Sequence, residues 1–338
     1  MGGVEMDLYV ISGITGMTGN ELARQILKSG EAVIGFDNFF ASSIDTIKDC
    51  IENRNFMFYE YDLNNREQME QLKEMVIQQK SNYRNLHYIN CAAVVHTEHF
   101  YHVEKTYETN VLGMKNFLGQ AIEVLAEDFI NCSTSEVYSM QSWKPGGINE
   151  EDFLVLATAE HSQRTSYAVG KLLTEFFMKD AVTKGLIKGC SIRFANVYSR
   201  NELYAKHIIP HILKSLIEDG EVTLLENAKT TNRSFLHNID SCSAVLSLIK
   251  HPNSLDGSIY NVATEEEISI IDLVELCATK LCIKNPKIFF EGYRESDPER
   301  RVLNTDKIRS KTSWVPTVGL DRGIDMCIQY MKKVESKE

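Results

Sequence analysis

The chain has 338 residues, 43% hydrophobic and 25% charged, the composition of a soluble globular protein with room for one large or two modest domains. No apolar run is long enough to span a bilayer, and the start lacks a secretory signal, so the expected location is the cytoplasm. A formal net charge of −11 argues against nucleic acid or an anionic membrane as partner, and eight singly scattered cysteines, among them Cys91, Cys132 and Cys190, read as reduced core residues.

The first predicted strand begins at Leu8 and runs into Gly13, Gly16 and Gly19 and the start of a helix. A strand feeding a glycine turn and then a helix points backbone N–H groups outward, where a pyrophosphate can dock. Gly13 serves the tight turn, Gly16 the approach of a dinucleotide and Gly19 the packing of helix on strand. A second strand, Ala32 to Phe36, ends in Asp37, placed to meet the ribose 2′-hydroxyl of NAD and to repel the extra phosphate of NADP.

Further apolar runs follow in NFMFYEYDL, LHYINCAAV, EDFINCSTS and GCSIRFANVYS. Helical spacing marks 64–79, 106–125 and 167–179. This alternation predicts an α/β fold, a Rossmann-type doubly wound parallel sheet. From about Asn196 the rhythm loosens into two helical stretches and an arginine-rich segment, predicting a smaller C-terminal substrate-binding α/β lobe. The expected division is 1–195, with a returning segment near 232–262, against 196–231 and 263–335.

Tyr167 and Lys171 lie one helical turn apart, so they share a face. A free tyrosine is a poor base at neutral pH, and an adjacent ammonium stabilises the phenolate, so Lys171 is expected to lower the pKa of Tyr167. Upstream, Ser133, Thr134, Ser135 and Glu136 fall at the C-terminal end of a predicted strand, where parallel sheets present catalytic groups. A hydroxyl there can hydrogen-bond an alcohol under oxidation, and a carboxylate can move a proton on a neighbouring carbon.

With these stretches, together with TNVLGMKNFL, NRSFLHNID, YNVATEEEISI and DPERRVLNTDKIR, the chain resembles the extended short-chain dehydrogenases/reductases, specifically the NAD-dependent nucleotide-sugar epimerase/dehydratase family. The resemblance implies NAD as cofactor, a nucleotide-diphosphate sugar as substrate and a homodimer. It implies cofactor contacts from Gly13, Gly16, Met17, Gly19, Asp37, Asn38, Asp62, Leu63, Ala92, Ala93, Asn110, Tyr167, Lys171 and Ala195. It implies catalysis by Thr134, Glu136, Tyr167 and Lys171, and substrate contacts from His96, Ser135, Asn196, Arg233, Arg294, Asp297 and Arg301. Arginine suits a diphosphate because its planar fork pairs with two oxygens.

The family chemistry runs through a 4-keto sugar, and three outcomes stay open: dehydration across C5 and C6, epimerisation, or loss of a 6-carboxylate as carbon dioxide. Glu136 puts a 4,6-dehydratase ahead, although the dTDP-glucose type carries Asp before the Glu and this chain has Ser135, as in the GDP-mannose dehydratases and UDP-glucuronate decarboxylases. A reductase of a non-sugar alcohol on the same fold is a more remote reading, which the arginines oppose. His96, His99 and His102 lack the partners of a metal site, so no metal is expected.

Overall fold

The β-branched and aromatic runs fold as parallel strands in a computed structural model that describes residues 6–95, 102–141, 143–202, 204–295 and 297–335. Strands β1 (Leu8–Ser12), β2 (Ala32–Asp37), β3 (Phe56–Glu60), β4 (Leu86–Asn90), β5 (Asp128–Thr134), β6 (Lys188–Phe194) and β7 (Asp256–Val262) form one sheet in the order β7-β6-β5-β4-β1-β2-β3. Every neighbouring pair in it is parallel. Side chains alternate across each strand, so Leu8 and Val10 enter a core with Tyr88, Phe117 and Phe129, while Tyr9 and Ile11 enter another with Leu22, Ile130 and Ile192. Both faces are covered, which is why the strands read as nearly unbroken apolar runs. The doubly wound sheet expected from the sequence is the one observed.

β1 lies between β2 and β4, so the chain leaves it toward opposite edges of the sheet. A crevice opens at the carboxyl ends of such strands. Ser12 stitches it: its hydroxyl donates to Asn90 Oδ1 at 2.8 Å and accepts from the Ala92 N–H at 3.2 Å.

Helices α1 (Met17–Lys28), α2 (Arg66–Gln79), α3 (Met114–Glu123) and α4 (Thr165–Thr183) follow β1, β3, β4 and β5. Asn65 caps α2 by accepting from the N–H groups of Glu67 and Gln68. The single helix expected over 106–125 is instead a turn of α-helix, Val103–Thr106, a π-helical stretch, Tyr107–Gly113, and then α3. Within the π-helical stretch Asn110 is fully buried and clamps the Val94 backbone reciprocally, its side chain accepting from N–H at 2.7 Å and donating to the carbonyl at 3.2 Å.

A second core gathers around the short parallel pair Glu221–Leu224 and Lys287–Phe290. Helices α5 (Ile208–Asp219), α7 (Ile270–Lys280) and α8 (Leu320–Glu335) supply Leu213, Leu216, Leu273, Val274 and Ile324 to it. Between them α6 (Asn238–Lys250) returns to α1, where Asn238 Nδ2 donates to the Met17 carbonyl at 3.1 Å, and β7 pairs with β6. A three-stranded patch of Glu267–Ser269, Asn232–Ser234 and Arg300–Arg301 sets Arg301 opposite Arg233 in parallel register. No helix of the described residues is long and apolar enough to cross a membrane.

Behind the crevice lies a buried polar network. Glu175 on α4 accepts from Arg193 Nε and Nη2 at 2.9 and 2.7 Å and from the Ser133 hydroxyl at 2.6 Å. Arg193 Nη1 donates to the Tyr138 hydroxyl at 2.7 Å, which donates to Asn261 Oδ1 at 2.8 Å. Asn261 Nδ2 then donates to the carbonyls of Ile148 and Asn304. Removing one partner of such a pair leaves an uncompensated buried charge.

Arg193→Met is therefore expected to lower unfolding free energy by roughly 3–5 kcal/mol in urea titrations, with Arg193→Met/Glu175→Leu recovering much of the loss. His237 is fully buried, caps α6 by accepting from the Ile239 N–H at 3.2 Å, and has a pKa pushed down to about 4, by burial above all. Its folded pKa lies below the unfolded value of about 6.5, so unfolding takes up a proton between these limits. Stability is expected to fall as pH drops from about 6.5 to 4 and to be flat above. His237→Asn, which keeps a capping acceptor, should flatten that slope in thermal melts at stepped pH.

Candidate active site

At the crevice, a cavity of about 990 Å³ is bounded by Gly13, Gly16, Met17, Gly19, Asp37, Asn38, Asp62, Leu63, Ala92 and Ala93. Gly13 has φ +67°, and a Cβ there would lie 2.7 Å from the Ala92 backbone; one on Gly19 would lie 2.3 Å from the Gly13 carbonyl oxygen. Neither position admits a side chain, and the first N–H groups of α1 face the cradle so formed. The Asp37 carboxylate accepts from the N–H groups of Thr15 at 3.1 Å and Phe39 at 2.9 Å, which fixes it at the mouth of the loop with acceptor capacity left. Asn38 Nδ2 donates to Asp62 Oδ2 at 2.9 Å, joining the ends of β2 and β3. This donor set fits a dinucleotide: backbone N–H groups for phosphates, a carboxylate for ribose hydroxyls and the apolar Leu63 and Ala92 for a ring.

Two of the expected cofactor residues stand elsewhere. Asn110 clamps Val94 and does not line the cavity, so it shapes the loop after β4; Ala195 is buried among Val137, Tyr138 and Ala263. Cys91 and Cys132 line the cavity, with sulfurs 3.8 Å apart; all eight cysteines are free thiols.

Thr134, Ser135, Glu136, Tyr167 and Lys171 all reach this cavity, from the end of β5 and from the first turns of α4. Thr134 hydrogen-bonds Tyr167 and accepts from the Glu136 N–H at 3.1 Å. Burial pushes the Tyr167 pKa up, the Thr134 hydrogen bond opposes that, and the Glu136 charge adds to it. Lys171 Nζ donates to the Cys132 carbonyl at 2.8 Å, and burial lowers its own pKa. The dry environment of the helix face penalises the charged form of both groups.

A second cavity of about 720 Å³ opens beside the first and is lined by Asn196, Arg233, Arg294, Asp297, Arg301 and Arg164. Arg301 Nη1 meets Glu136 Oε1 at 2.8 Å, and Arg164 Nη2 lies 3.5 Å from Oε2. Burial alone would raise the Glu136 pKa, but the charges of Arg301, Arg164 and Arg233 hold it down to about 2. Arg233 Nη2 donates to Asp297 Oδ1 at 2.8 Å, and Arg294 lies 3.9 Å from the other carboxylate oxygen. Asn196, at φ +39°, has its Nδ2 buried without a hydrogen-bond partner among the described residues. His96 lies outside the described residues. Among the described residues no group of three or more His, Cys, Asp and Glu could hold a metal.

Sequence reasoning missed four residues of this second cavity. Arg164 stands three positions before Tyr167, a spacing that could have placed it on the same face. Asn227 holds the Arg294 backbone from both sides, accepting from N–H at 2.8 Å and donating to the carbonyl at 3.0 Å. Glu202 and His207 pair through Nδ1, and nothing in their spacing marks them.

The model of the NAD dependent epimerase/dehydratase family matches residues 9–263. Among curated relatives, UDP-glucuronic acid decarboxylase 1 of Danio rerio is 25% identical over 328 residues, covering 96% of this chain and 72% of that protein. Two solved structures share the fold. A dTDP-glucose 4,6-dehydratase from Bacillus anthracis in complex with NAD has TM-score 0.82 and 21% identity, over 98% of each chain. A UDP-glucuronic acid 4-epimerase from Bacillus cereus in complex with UDP-glucuronic acid and NAD has TM-score 0.84 and 20% identity, over 97% of this chain and 99% of that one. Glycine cradle, Tyr167–Lys171 face and family match run through one continuous sheet, and the chain belongs to the NAD-dependent epimerase/dehydratase family.

Proposed function

We propose that the enzyme removes carbon dioxide from a nucleotide-linked uronic acid through a 4-keto intermediate. The observation that carries this reading is Glu136 locked between Arg301 and Arg164 with its pKa held down to about 2. The dehydration placed ahead on sequence asks Glu136 to accept the C5 proton, and a carboxylate so stabilised is a weak base. Epimerisation asks nothing of it. Loss of a 6-carboxylate asks for no base at C5; it needs cations to seat the carboxylate and an acceptor for the electrons left behind. The similarity to UDP-glucuronic acid decarboxylase 1 points the same way.

NAD would be held in the first cavity by the glycine loop and Asp37, and would supply there the acceptor for the electron pair leaving C4. Tyr167 takes the proton of the 4-hydroxyl as the phenolate, the form that the positive charges of Lys171 and a bound nicotinamide would favour against burial, with Thr134 holding the Tyr167 hydroxyl, and Lys171 anchors the helix turn through the Cys132 carbonyl while facing the cofactor cavity. Arg233, Arg294 and the Asn196 amide suit the diphosphate, and Asp297 orients Arg233. Arg301 seats the sugar carboxylate. Decarboxylation moves one negative charge from C6 toward O4, so the Glu136 charge beside the departing group and the Tyr167 hydroxyl at O4 both favour the transfer.

A second copy of the chain fits the outer face of α4. Val169, Leu173 and Phe176 form an exposed stripe there, at 48%, 40% and 64% exposure, beside exposed Val103 and Tyr107.

Incubated with UDP-, dTDP-, GDP- and CDP-linked glucuronate in heavy water, the enzyme is expected to release carbon dioxide from one of them and to form a nucleotide pentose bearing deuterium at C5. A 4-keto-6-deoxy sugar from a glucose nucleotide, with no gas from any uronate, would sink this reading. Arg301→Lys keeps a charge but loses the fork, and should cut gas release by about 10²-fold while leaving NAD affinity unchanged in calorimetry. Phe176→Asp should convert a dimer to a monomer in sedimentation velocity.

A further inference from the structure

The two cavities meet at the carboxyl ends of β5 and β6, and Thr134, Glu136, Tyr167, Asn196, Glu202 and His207 line both of them. Four of these already have tasks in the reaction. The other two form a pair of their own: His207 Nδ1 faces Glu202 Oε1, and the Tyr204 ring stands edge-on to the imidazole at 4.9 Å. The pair is well held. Glu202 is anchored by a backbone bond from its N–H to the Ser199 carbonyl, His207 by one from its N–H to the Tyr204 carbonyl, and α5 begins at the next residue.

Decarboxylation leaves a need that the other four of these residues do not meet. When the C5–C6 bond breaks, its electrons pass through C5 into the 4-keto group as an enolate, and C5 must then gain a proton. Glu136 has none to give, because its arginines keep it ionised. Tyr167 holds the proton that must return to O4, and Thr134 is engaged with Tyr167 and with the Glu136 N–H. Asn196 carries no acidic proton. An imidazole oriented by a carboxylate is a standard proton donor near neutral pH.

Resting on the decarboxylase reading, the geometry points to His207, oriented by Glu202, as the acid that protonates C5 once carbon dioxide has left. The step balances. The C5–C6 electron pair becomes the enolate, a new C5–H bond forms with the proton on Nε2, and the imidazolium becomes a neutral imidazole still donating from Nδ1 to Glu202. The ring regains its proton from water before the next turnover, and the 4-ketone restored at C5 is ready for reduction.

The test uses the full-length holoenzyme and UDP-glucuronate, or whichever linked glucuronate the wild type turns over, in heavy water. Wild type should give a pentose with one deuterium at a single face of C5. His207→Gln should release carbon dioxide but form the final pentose roughly 10²-fold more slowly, with the nicotinamide held in its reduced form during turnover and deuterium on both faces of C5. Glu202→Gln, which leaves the imidazole in place, should shift both readouts the same way by a smaller factor. Unchanged rate and single-face labelling in both variants would overturn the assignment while leaving decarboxylation standing. Absence of carbon dioxide with wild type on every linked glucuronate would overturn both.

Discussion

The ion pair of Glu175 with Arg193 is the constraint on which the working end of the molecule depends. It joins four parts of the chain: the end of β5 through Ser133, the turn that follows β5 through Tyr138, helix α4 through Glu175 and, by way of Asn261, the segment at Asn304. Each of these carries or flanks a group that faces the cavities. A buried charge pair is weak evidence for net stability, yet it tolerates few alternative arrangements, since any slip exposes an unmatched charge to a dry interior.

In the site itself, charge decides chemistry. Glu136 and Tyr167 are both buried acids, and burial disfavours the ionised form of each. Three arginines reverse the balance for Glu136, and nothing of comparable strength does so for Tyr167. The protein thus holds one acid charged and the other protonated within a single cavity. That asymmetry is the usual way in which one pocket assigns different parts to chemically similar groups.

Much of this was legible in the chain. The glycines at 13 and 19 answer to steric demands of a few ångströms of local structure, and the strands answer to a period of two, so both leave marks in sequence. The Tyr167–Lys171 face was equally plain, because helix geometry alone brings them together. What Lys171 does was not, since its partner is a carbonyl on β5. The pairing of Arg301 with Glu136 joins residues 165 positions apart, and no local pattern encodes it. Asn110 was read as part of the site and acts instead on the loop backbone, a difference that depends on which way a buried amide points. His96, singled out in the sequence, lies beyond the described residues.

One small contact joins the two halves of the site. Ile148 and Leu303 form an isolated parallel bridge, with N–H of Ile148 donating to the Val302 carbonyl and N–H of Asn304 to the Ile148 carbonyl, both at 2.9 Å. Through it, the loop that follows β5 is laced to the same short segment that carries Arg301. A polypeptide ending ahead of that segment would keep its glycine cradle and its tyrosine, yet lose the cation that restrains Glu136. The glycine cradle and the arginine that pairs with Glu136 are in this sense written on separate stretches of backbone, brought together only when the later one folds back.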